Sequence, residues 1–467
     1  MIDPVLYWNG IALEVHRRDF NGDRVMPEVA GPTRASRALA MVHLAMHDAW
    51  MAYKPGAKTY LDAGELPRQP AASASREAAV GAAAFTVLGT LFTRPQTYLD
   101  EEMRAFEHHL SSGQSAADIA AGKQFGVDIA QAVLKKREND GSGVCTAYIP
   151  GKDEGHHRQD PYHPDQGFLD PHWGCVGKFY VGTQEVERED PPGFTGFCGN
   201  ANLPQYDFNN QRYKTDFDEV RKFGAAYSSD RKYDQTVQGV FWAYDGARGI
   251  GTPPRLYNQC VRTIALDKKL SVDDSARLFA LINVAMADAG IIAWYEKYRY
   301  SLWRPVIGIR EAGPAYGPMA GGSGGLEPDP FWRPYGSPAS NRPGIPNFTP
   351  NFPAYPSGHA TFGTACFEVV RTFFGGEDVS WTQTSDELDG RTIDPDGSVR
   401  SLHRRPLTLA RAIRENLDSR VFLGVHWRFD GDRGKEIGEA IAKTLADRDV
   451  LHLSTKARST PAQASEA

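Results

Sequence analysis

The chain has 467 residues, a formal net charge of -6, 41% hydrophobic residues and 24% charged residues. That length allows two or three domain-sized units or one large layered core, and the mild acidity leaves no electrostatic footprint for nucleic acid or an anionic membrane. Five scattered cysteines (Cys145, Cys175, Cys198, Cys260, Cys366) form no CxxC pair, which argues for buried free thiols and against a disulfide framework or structural zinc.

The opening "MIDPVLYWNG" lacks a basic segment ahead of an apolar stretch, so no secretory signal is expected. No window reaches the roughly 18 apolar residues that span a bilayer. The longest, "LFALINVAMADAGIIAWY", is interrupted by Asn283 and Asp288. The expectation is a soluble protein without a membrane partner, cytoplasmic or exported without a recognisable signal peptide.

Residues 34–54 place Leu39, Val42, Met46 and Trp50 near one helix face. An alanine-rich stretch at 71–92 and "YLDEEMRAFEHHLSSG" at 98–113 also read as helices, the second closing on a glycine. A serine cap opens 115–138, which ends in basic residues as the helix dipole prefers. Residues 140–215 are rich in Gly, Pro, Asp and aromatics without periodicity and read as long ordered loops. Helices resume at 229–244 and 271–303, and a second Gly/Pro-rich stretch follows at 312–358. Further helices are expected at 359–374, 407–428 and 433–447. Strand signals are few. The fold class is therefore all-α, with stacked helical bundles in two four-helix-bundle-like halves joined by long ordered loops. The halves are expected at 1–250 and 251–450, followed by a disordered tail at 451–467.

Three segments in the last third carry the chemistry. In "WYEKYRYSLWRPVIGIR", Lys297 and Arg304 are nearly two helical turns apart, which would project both cations from one face before Pro305 ends the helix. In "NFPAYPSGHATF", Ser357 sits at an N-cap position. The Gly358 amide lies where free N–H groups and the dipole attract an anion, with His359 beside it. In "SRVFLGVHWRFD", Arg420 precedes His426, and Asp430 would share a face with His426 if the helix persists, orienting its imidazole. Three cations, a hydroxyl, an amide and two histidines suit a compact tetrahedral oxyanion, phosphate or vanadate.

The pattern Lys-x6-Arg-Pro, Pro-Ser-Gly-His, Ser-Arg-x5-His-x3-Asp resembles the signature of the type-2 phosphatidic acid phosphatase superfamily, with no motif position departing. The wider text of the second and third segments, and of "VLYWNGIALEV" with residues 34–50, is similar to the vanadium-dependent haloperoxidases, most of all the fungal chloroperoxidase branch. The resemblance implies vanadate(V) as cofactor, bound to the histidine at His426. Lys297, Arg304, Ser357, Gly358 and Arg420 would hold its oxygens, with His359 as acid/base and Lys297 also assisting catalysis. It implies that Trp294 and Phe352 line the halide approach. Algal bromoperoxidases carry a histidine at the Phe352 position, which leans this chain toward chloride competence. Hydrogen peroxide, halide and an organic acceptor are the implied partners, and site-selective halogenation would require a substrate pocket built by the 140–215 or 312–350 loops. A soluble acid phosphatase forming a phosphohistidine at His426, or a non-redox oxyanion-binding protein, are the alternatives. Monomer and homodimer are both compatible with the sequence.

Overall fold

A computed structural model describes residues 2–22, 26–68, 70–198, 203–311 and 326–453. The tail expected at 451–467 lies almost wholly outside them. The chain runs through α1 (Pro4–Asp19), α2 (Gly31–Met51), α3 (Arg76–Leu91), α4 (Gln96–Ser111) and α5 (Ala116–Lys136). A hairpin of β1 (Phe194–Cys198) and β2 (Leu203–Tyr206) precedes α6 (Gln211–Phe223), α7 (Tyr233–Phe241), α8 (Pro253–Asp267), α9 (Val272–Tyr300) and α10 (Pro305–Glu311). Then follow α11 (Gly358–Phe373), β3 (Ser380–Thr384), β4 (Arg404–Thr408), α12 (Leu409–Phe422) and α13 (Arg428–Asp447). Both strand pairs are antiparallel ribbons. The chain is all-α in class, as its composition indicates.

Local chemistry sets the helix starts. Asp3 Oδ1 accepts from the amides of Val5 and Leu6 at 2.8 and 3.0 Å to open α1, and the hydroxyls of Ser75, Ser115 and Ser271 cap α3, α5 and α9. α1, α6, α8 and α10 fall where no helix was expected. α8 begins with Pro253 and Pro254, which occupy the first turn, where no backbone N–H is needed.

α2 packs on α3 and α9, α3 on α5, and α9 on α11 and α13. One apolar core joins them, with Trp8, Val42, Ile282, Phe367 and Ile441 among its buried members, and it crosses the division expected near residue 250. α9 is long and apolar enough to cross a membrane, yet 94% of its most apolar window is buried inside the protein. Its two polar interruptions are satisfied there. Asn283 Nδ2 donates to Asn258 Oδ1 and Phe279 O at 3.0 and 2.8 Å. The Asp288 carboxylate accepts from the amides of Phe179, Tyr180 and Val181.

The long loops are ordered by the same device, a buried carboxylate that accepts backbone amides. Asp160 accepts from Tyr162 N and, across the fold, from Thr349 N, both at 2.9 Å, which ties the 140–215 loops to the segment leading into Phe352. Asp48 accepts likewise from Tyr60 and Leu61. All five cysteines are free, but Cys145, Cys175 and Cys198 are exposed, which corrects the expectation of uniformly buried thiols: these three sit on loops and a ribbon outside the helical core.

Candidate active site

Lys297 occupies the last turn of α9, and Ser301, at φ 47°, ends that helix in the left-handed region. Arg304 lies beyond the end, immediately before Pro305 opens α10. The two cations therefore do not share one helix face, as their spacing predicted. The segment between them is clamped instead by loops: His157 N donates to Ser301 O, Trp303 N to Gly155 O, and Ala354 N to Leu302 O, at 2.8, 2.8 and 2.9 Å. The clamp turns both side chains toward the same loop. Lys297 Nζ donates to the carbonyls of Pro353 and Ala354 at 2.9 and 3.0 Å and to that of Pro356. Arg304 Nε donates to Phe352 O at 2.8 Å.

His426 and Asp430 also lack a shared helix, because α12 ends at Phe422 and α13 starts at Arg428. Asp430 sits in the first turn of α13. Its Oδ2 accepts from the Trp427 amide at 3.0 Å and pairs with His426 Nδ1 at 2.9 Å. The pairing expected from helical spacing thus arises from an N-terminal cap. His426 Nε2 lies 2.8 Å from Arg304 Nη1, which also donates to Val425 O at 2.7 Å. The Ser357 amide donates to Asp430 O at 2.8 Å, joining the second and third motifs through backbone. Ser357 caps α11 through Ala360 N at 3.5 Å, a weak bond, and the Gly358 and His359 amides at that helix start have no intrahelical acceptor. α13 reaches α11 closely because Gly438 carries no side chain: a Cβ there would meet Thr364 Cβ at 2.6 Å and Ala365 N at 2.7 Å.

Arg420, from α12, places Nη2 on both carboxylate oxygens of Asp245, at 3.0 and 2.9 Å. Asp245 Oδ1 is also 3.8 Å from His359 Nε2, which lies 2.5 Å from Ala243 O. Sequence reasoning missed Asp245, which follows α7 in a link 175 residues from Arg420 and belongs to no spaced motif. It also missed Tyr257 and Asn416, which both donate to His359 O, at 3.1 and 2.7 Å, and fix the first turn of α11. No local signal marks these positions; only the packing of α8 and α12 on α11 brings them in.

Trp294 and Phe352 pack together with ring centroids 4.7 Å apart. Lys297 Nζ sits 5.5 and 5.1 Å from the two ring centroids, and Arg304 Cζ 4.8 Å from that of Phe352. Both rings line a cleft of about 410 Å³ that also exposes Gly358, His359 and Asp245. The sequence-predicted residues therefore gather around one point.

The electrostatics are those of a site built for an anion. Lys297, Arg304 and Arg420 are each 0% exposed, and Asp245 and Asp430 are the carboxylates beside them. Burial, reinforced by Arg304, holds the Lys297 ammonium well below its ordinary pKa. Burial also pushes Arg304 down to about 9, with Asp430 opposing and Arg420 assisting. Burial and then Arg420 drive His359 down to about 3, against the pull of Asp245. Burial, Arg304 and Lys297 hold His426 far below the usual histidine range. Burial alone would raise Asp245, but Arg420 and His359 outweigh it and lower its pKa. Burial among cations thus favours the neutral form of both imidazoles. Arg304 Nη2 and Arg420 Nε and Nη1 are buried without a hydrogen-bond partner, and each such donor costs about 1–3 kcal/mol until an acceptor arrives. These orphaned donors, the two helix-start amides and the neutral His426 nitrogen fit a compact oxyanion such as vanadate.

Comparison with known proteins agrees. Residues 3–167 match the vanadium chloroperoxidase N-terminal domain family, and residues 277–453 match the vanadium chloroperoxidase second helical-bundle domain family. Vanadium chloroperoxidase of Curvularia inaequalis is 33% identical over 93% of this chain and 80% of its own. In fold, the chain is similar to a bacterial vanadium-dependent iodoperoxidase, with a TM-score of 0.73 and 20% identity over 96% of each chain. It is similar also to the holo form of a bacterial vanadium-dependent chloroperoxidase, with a TM-score of 0.64 and 17% identity over 91% of this chain and 94% of that one. With both domain families matched and a third of its residues shared across nearly its full length, the chain belongs to the vanadium chloroperoxidase family of haloperoxidases.

Proposed function

We propose that this protein oxidises halide with hydrogen peroxide to hypohalous acid, using vanadate(V) held by Lys297, Arg304, Ser357, Gly358, Arg420 and His426. The observation that carries the reading is the set of three unpaired, buried guanidinium N–H groups beside a neutral His426. When bound, vanadate supplies a Lewis-acid centre that renders peroxide oxygen electrophilic toward halide.

The protein's own groups do the rest. His426 would turn its Nε2, which Arg304 Nη1 meets at 2.8 Å in this structure, to the metal, while Asp430 holds Nδ1 and fixes the ring. Lys297, Arg304 and Arg420 offset the anion's charge without reorganising. His359 donates Nε2–H to Ala243 O, so Nδ1 is its basic atom, and His359 lines the cleft through which peroxide arrives. Nδ1 would accept a proton from peroxide entering the cleft and hold it for return. Trp294 and Phe352 exclude bulk water and present an apolar approach to halide, and Phe352 in place of a histidine favours chloride as well as bromide.

A phosphate ester would meet the same donors, so slow phosphatase activity of vanadate-free protein accompanies this reading. The test is a bromide and chloride oxidation assay with hydrogen peroxide, before and after loading with orthovanadate, beside p-nitrophenyl phosphate hydrolysis. Halide oxidation that appears on loading, and suppresses hydrolysis, is the expected result. Hydrolysis with no halide oxidation after loading would overturn the proposal in favour of a phosphatase.

A further inference from the structure

The cleft at the site is far larger than halide oxidation needs. A halide ion and a peroxide molecule occupy on the order of two water volumes, about 60 Å³. The cleft holds about 410 Å³, within the range of roughly 300–1,000 Å³ typical of pockets for organic ligands. Its lining gathers residues distant in sequence, among them Phe20 and Pro27 beyond α1, Leu169, Asp245 and Pro253, and residues between 342 and 352. Its apolar lining includes the rings of Phe20, Trp294, Phe348, Phe352 and Phe362, beside Met26 and Leu169.

Its charges are distributed with equal economy. Asp245 is paired with Arg420, and His359 Nε2 lies 2.5 Å from the Ala243 carbonyl. The remaining charged residue of the lining is Arg342, exposed at the rim, and among the described residues its guanidinium makes no ion pair or hydrogen bond. With one unpaired cation among its described lining residues, and aromatic rings leading to the reacting centre, the cleft is complementary to an aromatic molecule bearing one carboxylate.

Building on the haloperoxidase reading, we propose that this cleft binds the organic acceptor itself, an aromatic carboxylate, with the carboxylate on Arg342 and the ring against Phe348 and Phe352. Hypohalous acid formed beside His359 then meets a held ring. The halogen–oxygen bond breaks, a carbon–halogen bond forms, and the ring proton leaves with the hydroxide as water. The ring is oxidised and the halogen reduced, so no further reactant is required. A held ring presents one face and one edge to the oxidant, so halogenation is site-selective.

The probe is 6-hydroxy-2-naphthoate, compared with its methyl ester. Binding to vanadate-free protein is followed by quenching of tryptophan fluorescence. The acid should bind at least about tenfold tighter than the ester, a difference of about 1.4 kcal/mol. Arg342→Gln should abolish that preference and Arg342→Lys should restore part of it. Equal binding of acid and ester, or a preference that survives Arg342→Gln, would overturn the proposal. In a second arm, vanadate-loaded protein with bromide and peroxide should give a single ring-brominated isomer, where hypobromite added to the acid gives a mixture. Identical mixtures would place halogenation in free solution and overturn the proposal. An absence of halide oxidation in the second arm would sink the haloperoxidase reading alone, because the binding arm needs neither vanadate nor turnover.

Discussion

Asp245 holds the Nη2 group of Arg420 between its two carboxylate oxygens, at 3.0 and 2.9 Å, with both side chains buried. Nη2 of the guanidinium is thereby engaged, and Nε and Nη1 are left buried without a hydrogen-bond partner. The same carboxylate faces His359 and opposes the fall of its pKa. Asp245→Asn keeps the shape and removes the charge. It should weaken vanadate binding by about 10–100-fold and move the basic atom of His359 further toward acid pH. Vanadate titration of activity and the acid limb of the pH profile check both effects; an unchanged vanadate affinity would remove Asp245 from the site.

His426 is the one neutral nitrogen in the cage with a carboxylate fixing its other edge. His426→Ala should abolish vanadate-dependent halide oxidation, leaving less than about 1% of turnover, a loss of at least about 2.7 kcal/mol of transition-state stabilisation. Full turnover in this variant, after vanadate loading, would refute the ligand assignment.

Phe352 packs against Trp294 with the rings tilted by 44°, and sits under both Lys297 and Arg304. Phe352→His brings a polar, titratable ring to that approach. The ratio of chloride to bromide turnover should fall by roughly tenfold, equivalent to about 1.4 kcal/mol. Measured kcat/KM for the two halides in wild type and variant decides it, and a constant ratio would separate Phe352 from halide choice.

His43 reports on stability. Its Nδ1 donates to Leu39 O at 2.7 Å and its Nε2 accepts from Asn9 Nδ2 at 3.0 Å, which fixes the neutral ring in the core. Burial pushes its pKa from 6.5 down to about 4. Because the folded value lies below the unfolded one, the unfolded chain binds more protons between them. The associated stability is complete above pH 6.5 and is lost as pH falls through about 4. A gap of that size is worth about 3 kcal/mol. Urea unfolding at pH 7 and pH 4 should show His43→Gln losing about 3 kcal/mol less than wild type on acidification. Parallel losses in the two proteins would contradict the assignment.

Gly438 lets α13 approach the α11 backbone that carries Ser357 and His359. Gly438→Ala should destabilise the protein by about 1–3 kcal/mol through overpacking, despite a helix-propensity gain of about 1 kcal/mol. The urea midpoint measures it. An unshifted or raised midpoint would show that the helix contact relaxes freely.

The motifs of the site were legible because each is local. A serine before a glycine and histidine at a helix mouth carries its chemistry in consecutive residues, and so does a histidine four positions before an aspartate. The helical class was legible for the same reason, since hydrophobic period and serine caps act within a few residues. Helix boundaries at the site were less so. Spacing placed Lys297 with Arg304, and His426 with Asp430, on continuous helices, whereas Ser301 breaks the first and residues 423–427 break the second. The pairs still meet, because loop and cap hydrogen bonds replace helical geometry.

By itself, the sequence determined the helical class, and the residue types of the three motifs and their order along the chain. Only the tertiary structure decided that Asp245 aims Arg420, that Tyr257 and Asn416 hold His359 O, and that Arg342 stands at the mouth of a cleft wide enough for an organic molecule. Those contacts join positions as far as 175 residues apart. A side-chain hydrogen bond or cavity wall between distant segments depends on how whole helices pack, and no short-range period encodes it.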